Sequence, residues 1–334
     1  MSRIAILGGG SWGTGLAVVL SHSRRKHGIR IWVRETSIVQ AMQQQHRNPT
    51  YLPDIEIPAC VEASNDLGET LHGAQIVVGV VPSAHTRAVF LKAAPYLSAD
   101  TSIVSATKGL EPATHLRMSE VIAQALALQF IPAIAVLSGP SFALEAARGD
   151  PTAVVLASHD RPLAAFLQEE LAGPSFRLYT NDDVLGVELA GAMKNVMAIA
   201  AGACQGLGLG ANSLAALITR GLAEMTRLTV ALGGKPETLS GLAGLGDLVL
   251  TCHGALSRNR HVGFELGRGS ALQEILEEMS GVAEGVGTTT ALLGLARDRN
   301  IELPITEQVH SILHLGNSPQ DAIRAIMERP LKRE

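Results

Sequence analysis

A lysine stands near the middle of an apolar stretch that covers residues 187–204. The stretch is rich in Ala and Gly and has the length of a buried helix, and Lys194 is the one charged residue between Glu188 and Arg220. An ammonium in such a helix either reaches solvent along its four-carbon stem or lies at the wall of a polar cavity. A lysine that is kept from full hydration can exchange a proton near neutral pH. Lys194 is therefore a candidate general acid or base, and Asn195 beside it is a candidate hydrogen-bond donor.

A single carboxylate, Asp247, lies among the small and apolar residues at 241–254. An aspartate in such surroundings is either a helix cap or the fixed partner of a buried cation. Lys194 is the candidate for that cation.

Donors are concentrated just after this segment, in a predicted Gly/Ser loop at 253–263. The run Ser257-Arg258-Asn259-Arg260 is either a solvated basic turn or a site for a phosphate monoester. Arginine forks and amides just before a helix are suited to bind phosphate.

A glycine-rich motif occurs at the N-terminal end of the chain. Gly8, Gly10 and Gly13 match G-x-G-x-x-G between a short apolar strand at 3–8 and an apolar-periodic helix. In this motif the first glycine allows the turn, the second lets the backbone approach a pyrophosphate, and the third lets helix and strand pack closely. The motif predicts dinucleotide binding at the helix N-terminus.

The next strand, at 29–33, ends in Arg34-Glu35. An acidic residue at this strand end binds the ribose 2′-hydroxyl of NAD, whereas an arginine accommodates the 2′-phosphate of NADP. Arg34 is the first residue past the strand and favours NADP over NAD. A shift of one residue in the strand end would give the role to Glu35.

Three further apolar strands, predicted at 75–81, 101–106 and 133–137, also end in small or polar residues. The loops that follow contain Pro82-Ser83, Thr107-Lys108-Gly109 and Ser138-Gly139-Pro140-Ser141. Ligands of open α/β sheets bind outside the carboxyl ends of the strands. Lys108 is therefore either a solvated loop lysine or a side chain that faces the ligand crevice.

These elements predict an α/β fold in which a Rossmann-like, doubly wound and mostly parallel sheet is followed by an all-α domain. Strand-like runs at 152–158 and 175–180 complete the sheet. Helical patterns take over after Asn181-Asp182-Asp183, where either Asp182 or Asp183 is a natural N-cap. We place a dinucleotide-binding domain at 1–183 and a helical substrate domain at 184–334. The predicted helices cover 184–204, 212–232, 236–251, 270–279, 287–299, 304–315 and 319–328.

Composition narrows the function classes. A formal net charge of −4 over 334 residues gives no electrostatic reason to bind nucleic acid or an anionic membrane surface. The apolar run at 121–137 is split by polar residues and Pro132 into a helix followed by a strand, so no membrane span is expected. Three cysteines without metal or disulfide spacing suit a reducing cytoplasm, and no metal is expected.

In combination the motifs resemble the bacterial type of NAD(P)-dependent glycerol-3-phosphate dehydrogenase. The matching stretches are GGGSWGT at 8–14, NPTYLP at 48–53, VVPS at 80–83, ATKGLE at 106–111, LSGPSFA at 137–143, ELAGAMKNVMAIAAG at 188–202, ALITRGLAEM at 216–225, GLAGLGDLVLTC at 241–252, SRNR at 257–260, VAEGVGTT at 282–289 and LPITEQV at 303–309. The resemblance implies the reversible reduction of dihydroxyacetone phosphate, a small phosphate substrate, to sn-glycerol 3-phosphate, which is the backbone of phospholipids.

The resemblance also implies residue roles. Lys194 matches the family's catalytic lysine, and Asp247 and Lys108 complete the catalytic set. The implied substrate contacts are Lys108, Gly139, Ser141, Lys194, Asn195, Asp247, Thr251, Ser257, Arg258 and Asn259. The implied cofactor contacts are Gly8, Gly10, Ser11, Trp12, Gly13, Arg34, Lys108, Ala143, Arg258, Val282 and Glu284. Ala211 and His253 depart from the commonest family pattern, which leaves the fine-tuning of substrate binding open.

Two other functions fit parts of the pattern. A β-hydroxyacid dehydrogenase of similar build would act on a carboxylate substrate. The SRNR segment and the two lysines, Lys108 and Lys194, favour a phosphate instead. A non-catalytic NADP-binding redox sensor would have no use for Lys194, Asp247 and Lys108 together. The sequence leaves the oligomeric state open, with a homodimer among the options.

Overall fold

The computed structural model describes residues 2–279, 281–331 and 333. The chain divides into two compact units. The first unit consists of Met1–Lys108 and Leu116–Glu188, and the second of Gly109–His115 and Leu189–Glu334.

The first unit is built on an eight-stranded sheet with the strand order β3-β2-β1-β4-β5-β6-β7-β8. All neighbours are parallel except β6 and β7, which are antiparallel. The strands are β1 Arg3–Leu7, β2 Gly28–Trp32, β3 Val61–Ser64, β4 Ile76–Gly79, β5 Ser102–Ser105, β6 Ala133–Ser138, β7 Thr152–Ala157 and β8 Phe176–Asn181. The doubly wound, mostly parallel sheet expected from the sequence is confirmed.

Apolar side chains cover both faces of this sheet. In β1, Ile4 and Ile6 belong to the core cluster of one face, and Ala5 and Leu7 belong to the cluster of the other. Successive residues of a strand point to opposite faces. A central parallel strand that is covered on both sides must therefore be apolar throughout, which explains the continuous apolar runs in the sequence.

Within the described residues there are sixteen α-helices. They are α1 Ser11–Ser21, α2 Thr36–Gln45, α3 Leu67–Leu71, α4 Thr86–Ala93, α5 Met118–Leu126, α6 Ala143–Arg148, α7 Arg161–Leu171, α8 Val184–Gly206, α9 Ala211–Ala231, α10 Pro236–Ser240, α11 Asp247–His253, α12 Arg258–Arg268, α13 Leu272–Glu278, α14 Glu284–Arg297, α15 Pro304–His314 and α16 Pro319–Met327.

Two predictions for the helical part are wrong. The helix predicted over 236–251 is broken, because Gly241 has an extended backbone and a π turn at Leu242–Gly246 precedes α11. The segment 253–263, predicted as a loop, contains the start of α12, where the Ser257 hydroxyl accepts a hydrogen bond from the Arg260 N–H at 3.2 Å as an N-cap. The short strand β3 was not predicted.

Helix α8 carries the apolar stretch around Lys194. By length and composition it is the one helix among the described residues that could cross a membrane, with a mean hydropathy of 1.4 over its best window. However, 89% of that window is buried inside the protein. Its apolar surface therefore belongs to the protein core, and its first turn is capped by Asp183, whose carboxylate accepts the Gly186 N–H at 2.9 Å.

Candidate active site

The glycine motif forms a tight turn between β1 and α1. Gly8 has a φ of +126°, and a Cβ there would lie 2.9 Å from the Val80 carbonyl carbon and oxygen. A Cβ at Gly13 would overlap the Gly8 carbonyl oxygen, so α1 packs closely on the turn. Gly10, in contrast, has no heavy atom within 4 Å of a Cβ position. The turn therefore leaves open space at the N-terminus of α1, where a pyrophosphate would bind.

A buried asparagine, which the sequence reasoning missed, holds this turn. The Asn48 amide donates to the Gly9 carbonyl and to the Thr14 hydroxyl, each at 2.8 Å, and its oxygen accepts the Tyr51 N–H at 3.1 Å. The segment around it had no chemical motif to reveal this role. The hint in the sequence was an asparagine between turn residues, which is too common a pattern to be specific.

The other cofactor candidates of the first unit lie around the turn. The Ser11 hydroxyl donates to the Tyr51 carbonyl at 2.8 Å, and Trp12 packs against the sheet core. Ala143, the first residue of α6, lies beside Gly15 of α1, where a Cβ would be 3.3 Å from the Ala143 Cβ. Arg34 extends into solvent with 72% of its side chain exposed.

Arg34 and Glu35 form an ion pair at the end of β2. The Arg34 guanidinium donates to Glu35 Oε1 from Nε at 3.0 Å and from Nη2 at 2.6 Å. The pairing raises the pKa of the Arg34 guanidinium. Both residues lie just after the carboxyl end of β2.

The loops that follow β4, β5 and β6 meet at one edge of the sheet, as their parallel order requires. Lys108 Nζ donates to the Gly139 carbonyl at 3.0 Å, and the Ser141 hydroxyl donates to the same carbonyl at 3.0 Å. Gly139 has a φ of +132°, a backbone conformation that favours glycine. The structure therefore brings together Lys108, Gly139 and Ser141 within the first unit.

In the second unit, Lys194 is buried with two partners on α11. Its Nζ donates to Asp247 Oδ1 at 2.6 Å and to Thr251 Oγ1 at 2.7 Å. The Lys194 side chain is 8% exposed and that of Asp247 is 1% exposed. Thr251 donates its own hydroxyl hydrogen to the Asp247 carbonyl at 2.6 Å, so it presents a lone pair to the ammonium. Asp247 is thus the partner of a buried cation.

Two amides next to this cluster form an oriented chain. The Gly285 N–H donates to Asn259 Oδ1 at 2.9 Å, and Asn259 Nδ2 donates to Asn195 Oδ1 at 3.0 Å. A backbone N–H can only donate a hydrogen bond, so the side-chain oxygen of Asn259 must face Gly285. The Asn259 NH2 group then faces Asn195, whose side-chain oxygen must accept from it. A Cβ at Gly285 would lie 2.8 Å from the Asn195 carbonyl oxygen and 2.9 Å from Asn259 Oδ1.

The donor-rich segment 257–260 forms the start of α12. Ser257 is its N-cap, Arg258 its first residue, and Asn259 is buried. The Arg258 guanidinium lies against Gly281, where a Cβ would overlap Nη1. Arg260 instead binds the Gly254 carbonyl at 3.0 Å. Close to Gly281, Val282 is half exposed and Glu284 begins α14.

Cys252 lies beside Thr251 and is fully buried. The pKa of its thiol is raised to about 12, mainly by burial; the Lys194 ammonium acts against this rise and the Asp247 carboxylate adds to it. The thiol is therefore protonated near neutral pH. Among residues 2–279, 281–331 and 333, no three His, Cys, Asp or Glu side chains are grouped so that they could hold a metal ion.

Glu224 links the stretches ALITRGLAEM at 216–225 and LPITEQV at 303–309, neither of which contains a candidate site residue. Its carboxylate accepts the Ile305 N–H at 2.8 Å, the Thr306 N–H at 3.0 Å and the Thr306 hydroxyl at 2.6 Å. Glu224 therefore caps the N-terminus of α15 from α9, and burial raises the pKa of its carboxyl. The ALITRGLAEM and LPITEQV stretches are thus linked structurally.

A doubly wound sheet with an open glycine turn, and a buried lysine held by an aspartate, define the class of nucleotide-dependent oxidoreductases of the dehydrogenase type. The model of the N-terminal part of NAD-dependent glycerol-3-phosphate dehydrogenase matches residues 3–164, and that of the C-terminal part matches residues 183–324. The chain belongs to this family.

Relatives of high identity extend over nearly the whole chain. The chain is 55% identical to glycerol-3-phosphate dehydrogenase [NAD(P)+] of Koribacter versatilis over 99% of its length and 98% of the relative. It is 51% identical to the protein of the same name from Myxococcus xanthus, with 99% and 98% covered. The crystal structure of glycerol-3-phosphate dehydrogenase from Coxiella burnetii matches with a TM-score of 0.93 and 46% identity, covering 98% of this chain and 99% of that one.

Proposed function

We propose that the chain catalyses the reversible, NAD(P)H-dependent reduction of dihydroxyacetone phosphate to sn-glycerol 3-phosphate, which supplies the backbone of glycerophospholipids. Family membership and the names of the relatives support this substrate pair. The observation that carries the chemistry is the buried contact of Lys194 Nζ with Asp247 and Thr251.

The residues of the first unit fit a dinucleotide, because the open position at Gly10 and the tight packing at Gly8 and Gly13 leave room for a pyrophosphate at the start of α1. We assign the cofactor contacts to Gly8, Gly10, Ser11, Trp12, Gly13, Arg34, Lys108, Ala143, Arg258, Val282 and Glu284. When bound, the reduced nicotinamide supplies the hydride that the ketone carbon accepts. Arg34 is the residue that would favour NADP, with NAD as the alternative.

Lys194 is the proposed proton donor in the reductive direction. Negative charge develops on the ketone oxygen as its carbon is reduced, and an ammonium at that oxygen both stabilises the charge and donates the proton. Asp247 and Thr251 each accept a hydrogen of the ammonium and so orient it. In the oxidative direction the neutral amine accepts the proton from the alcohol.

The phosphate of the substrate is assigned to the start of α12. Arg258 supplies a guanidinium, the helix start supplies N–H groups, and the oriented amides of Asn259 and Asn195 each retain an N–H for an oxyanion. Ser257, and in the first unit Lys108, Gly139 and Ser141, complete the proposed substrate contacts. Binding energy at a phosphate remote from the ketone orients the reacting carbon.

The decisive experiment is an assay of NADPH oxidation by the purified protein. We expect oxidation with dihydroxyacetone phosphate and none with unphosphorylated dihydroxyacetone or with a β-keto acid of similar size. Oxidation with the keto acid alone would favour a β-hydroxyacid dehydrogenase. NADPH binding without any turnover would favour a redox sensor.

We further infer that the enzyme works as a cytoplasmic homodimer. The compartment is inferred from the cysteines. All three, Cys60, Cys204 and Cys252, are free thiols, which suits a reducing compartment.

The dimer is inferred from α9. Its first ten residues, 211–220, have no buried side chain, although the apolar residues Leu214, Leu217 and Ile218 are among them. Light scattering of the purified protein measures the mass, and a monomer at micromolar concentration would contradict the dimer.

A further inference from the structure

We propose that Gly244 is a positioning residue for the reaction. Its missing side chain lets the π turn at Leu242–Gly246 pack against the backbone of α10, and this packing sets the Asp247 carboxylate against Lys194. The inference rests on the proposed function of Lys194 as proton donor.

The π turn lies directly before the carboxylate. Helix α10 ends at Ser240, Gly241 is extended, and the Gly246 N–H donates to the Gly241 carbonyl, five residues back, at 3.1 Å. Asp247 is the first residue of α11. A π turn is wider than an α turn, so it changes the direction in which the side chains that follow it point.

Gly244 is buried, and its α-carbon faces the backbone of Leu239. A Cβ at position 244 would overlap the Leu239 carbonyl oxygen and α-carbon. Leu239 is itself fully buried, so these backbone atoms have no room to yield. An alanine at 244 must therefore move the π turn, and with it Asp247, which is three residues further along the chain.

Both partners of the Lys194 ammonium lie on α11. Asp247 and Thr251 are one turn apart on the same face and bind Nζ at 2.6 and 2.7 Å. Lys194 lies on α8, which is not part of the segment that contains the π turn. A displacement of α11 by about 1 Å takes both contacts beyond hydrogen-bonding distance, and the ammonium loses its orientation.

Gly241 provides a matched control in the same turn. A Cβ there would be 3.5 Å from the Thr238 carbonyl oxygen, which is an ordinary contact, and its φ of −91° suits any residue. Gly241→Ala adds the same methyl group without moving the turn. A second probe is the deletion of Leu245, an exposed residue of the turn. It shortens the π turn to an α turn and places no atom against Leu239.

The experiment compares kcat, KM for dihydroxyacetone phosphate and NADPH affinity in these variants. We expect Gly244→Ala to fold by far-UV circular dichroism and to bind NADPH within about twofold of wild type. Loss of one charge-assisted hydrogen bond corresponds to a fall in kcat of about ten- to a hundredfold. The fall of the reduction rate at high pH should begin at lower pH, because the displaced carboxylate no longer favours the ammonium. The Leu245 deletion should do the same, and Gly241→Ala should behave as wild type.

A double variant tests the route of the effect. In an Asp247→Asn background, Gly244→Ala should lower kcat less than about twofold further, because residues that act as a unit are not additive. Full additivity, a wild-type kcat and pH profile in Gly244→Ala or in the deletion variant, or a Gly244→Ala protein that does not fold would each overturn the proposal. The last result would assign Gly244 to stability alone.

A crystal structure of Gly244→Ala supplies a readout that is independent of turnover. We expect the Lys194 Nζ to Asp247 Oδ1 distance to exceed 3.5 Å in the variant. An unchanged distance would overturn the positioning role, whereas a wild-type enzyme without activity on dihydroxyacetone phosphate would overturn the proposed function instead.

Discussion

Lys194 Nζ lies 2.6 Å from Asp247 Oδ1, and both side chains are more than nine-tenths buried. A buried ion pair of this kind is costly to form, and removal of one partner leaves the other charge without compensation. The pair is also made of one long and one short side chain on separate helices, α8 and α11, so its geometry depends on how these helices pack. We interpret it as the orienting contact of the proton donor.

Lys194→Ala should abolish turnover and leave NADPH binding nearly unchanged. Removal of a general acid costs about 10²–10⁴ in rate, and Asp247→Asn, which keeps a hydrogen-bond acceptor, should cost less. In Asp247→Asn the reduction rate should start to fall at lower pH, because the ammonium loses its proton more easily without the carboxylate. Steady-state kinetics over pH and a fluorescence titration with NADPH measure these effects. Lys92→Ala, at an exposed position of α4, is the control, and substantial activity of Lys194→Ala would contradict the role.

Arg34→Ala should weaken NADPH binding far more than NADH binding, since the guanidinium is the candidate partner of the 2′-phosphate. The ion pair with Glu35 adds a second expectation. Glu35→Gln should strengthen NADPH binding relative to NADH, because it frees the guanidinium and removes a negative charge close to the phosphate. Dissociation constants for both cofactors, measured at one salt concentration, test this. Equal losses of affinity for both cofactors in Arg34→Ala would refute the assignment.

Gly285→Ala should raise the KM for dihydroxyacetone phosphate by about tenfold or more. Its methyl group would push against Asn195 and Asn259 and break the amide chain, which costs at least one buried hydrogen bond of about 1–3 kcal/mol. Gly287→Ala, two residues further along α14, is the matched control because no heavy atom lies within 4 Å of its Cβ position. Initial rates at varied substrate concentration distinguish the two variants. A similar KM in both would show that the amide chain does not support substrate binding.

Glu224→Gln should lower the free energy of unfolding by about 1–3 kcal/mol, because Ile305 N–H and Thr306 N–H donate to different carboxylate oxygens and the amide keeps only one of these acceptors, so one N–H group loses its partner. The kcat of the folded enzyme should be unchanged, since Glu224 supports the start of α15 and its hydrogen bonds go to Ile305 and Thr306, which are not among the proposed site residues. Urea denaturation, with Glu56→Gln as a control at an exposed position, measures the effect. Stability equal to wild type would mean that the cap is dispensable.

Much of the fold could be predicted because local signals and global packing agree. The strands of the first unit are recognisable as continuous apolar runs, and the turn at 8–13 is recognisable from the G-x-G-x-x-G motif. The site in the helical unit can be predicted from the sequence for a different reason. Lys194 and Asp247 each stand as an isolated charge in an apolar stretch, and an isolated buried charge requires a partner.

Other features depend on distant contacts and have no local signal. Asn48 acts on the glycine turn 39 residues earlier in the chain, and Glu224 caps a helix that begins 80 residues later. The sequence predicts a continuous helix through the π turn before Asp247, because the Ala and Leu residues of the segment favour a helix and the close packing of Gly244 on Leu239 has no local signal. The sequence predicts a loop at the start of α12, because Gly254 and the polar run at 257–260 resemble a turn and conceal the N-cap at Ser257.

Alkylation under native conditions should modify Cys60 first, Cys204 more slowly and Cys252 last. Cys60 is exposed and Cys204 is half-buried with a raised pKa. Since the pKa of the Cys252 thiol is raised to about 12, mainly by burial, the thiol remains protonated and unreactive at pH 8. Iodoacetamide labelling followed by peptide mass spectrometry gives the order, and a protein labelled at Cys60 alone should retain full activity. In urea all three sites should react. Early labelling of Cys252 in the native protein would show that α11 opens, and the buried environment of Lys194 and Asp247 would then be only transient.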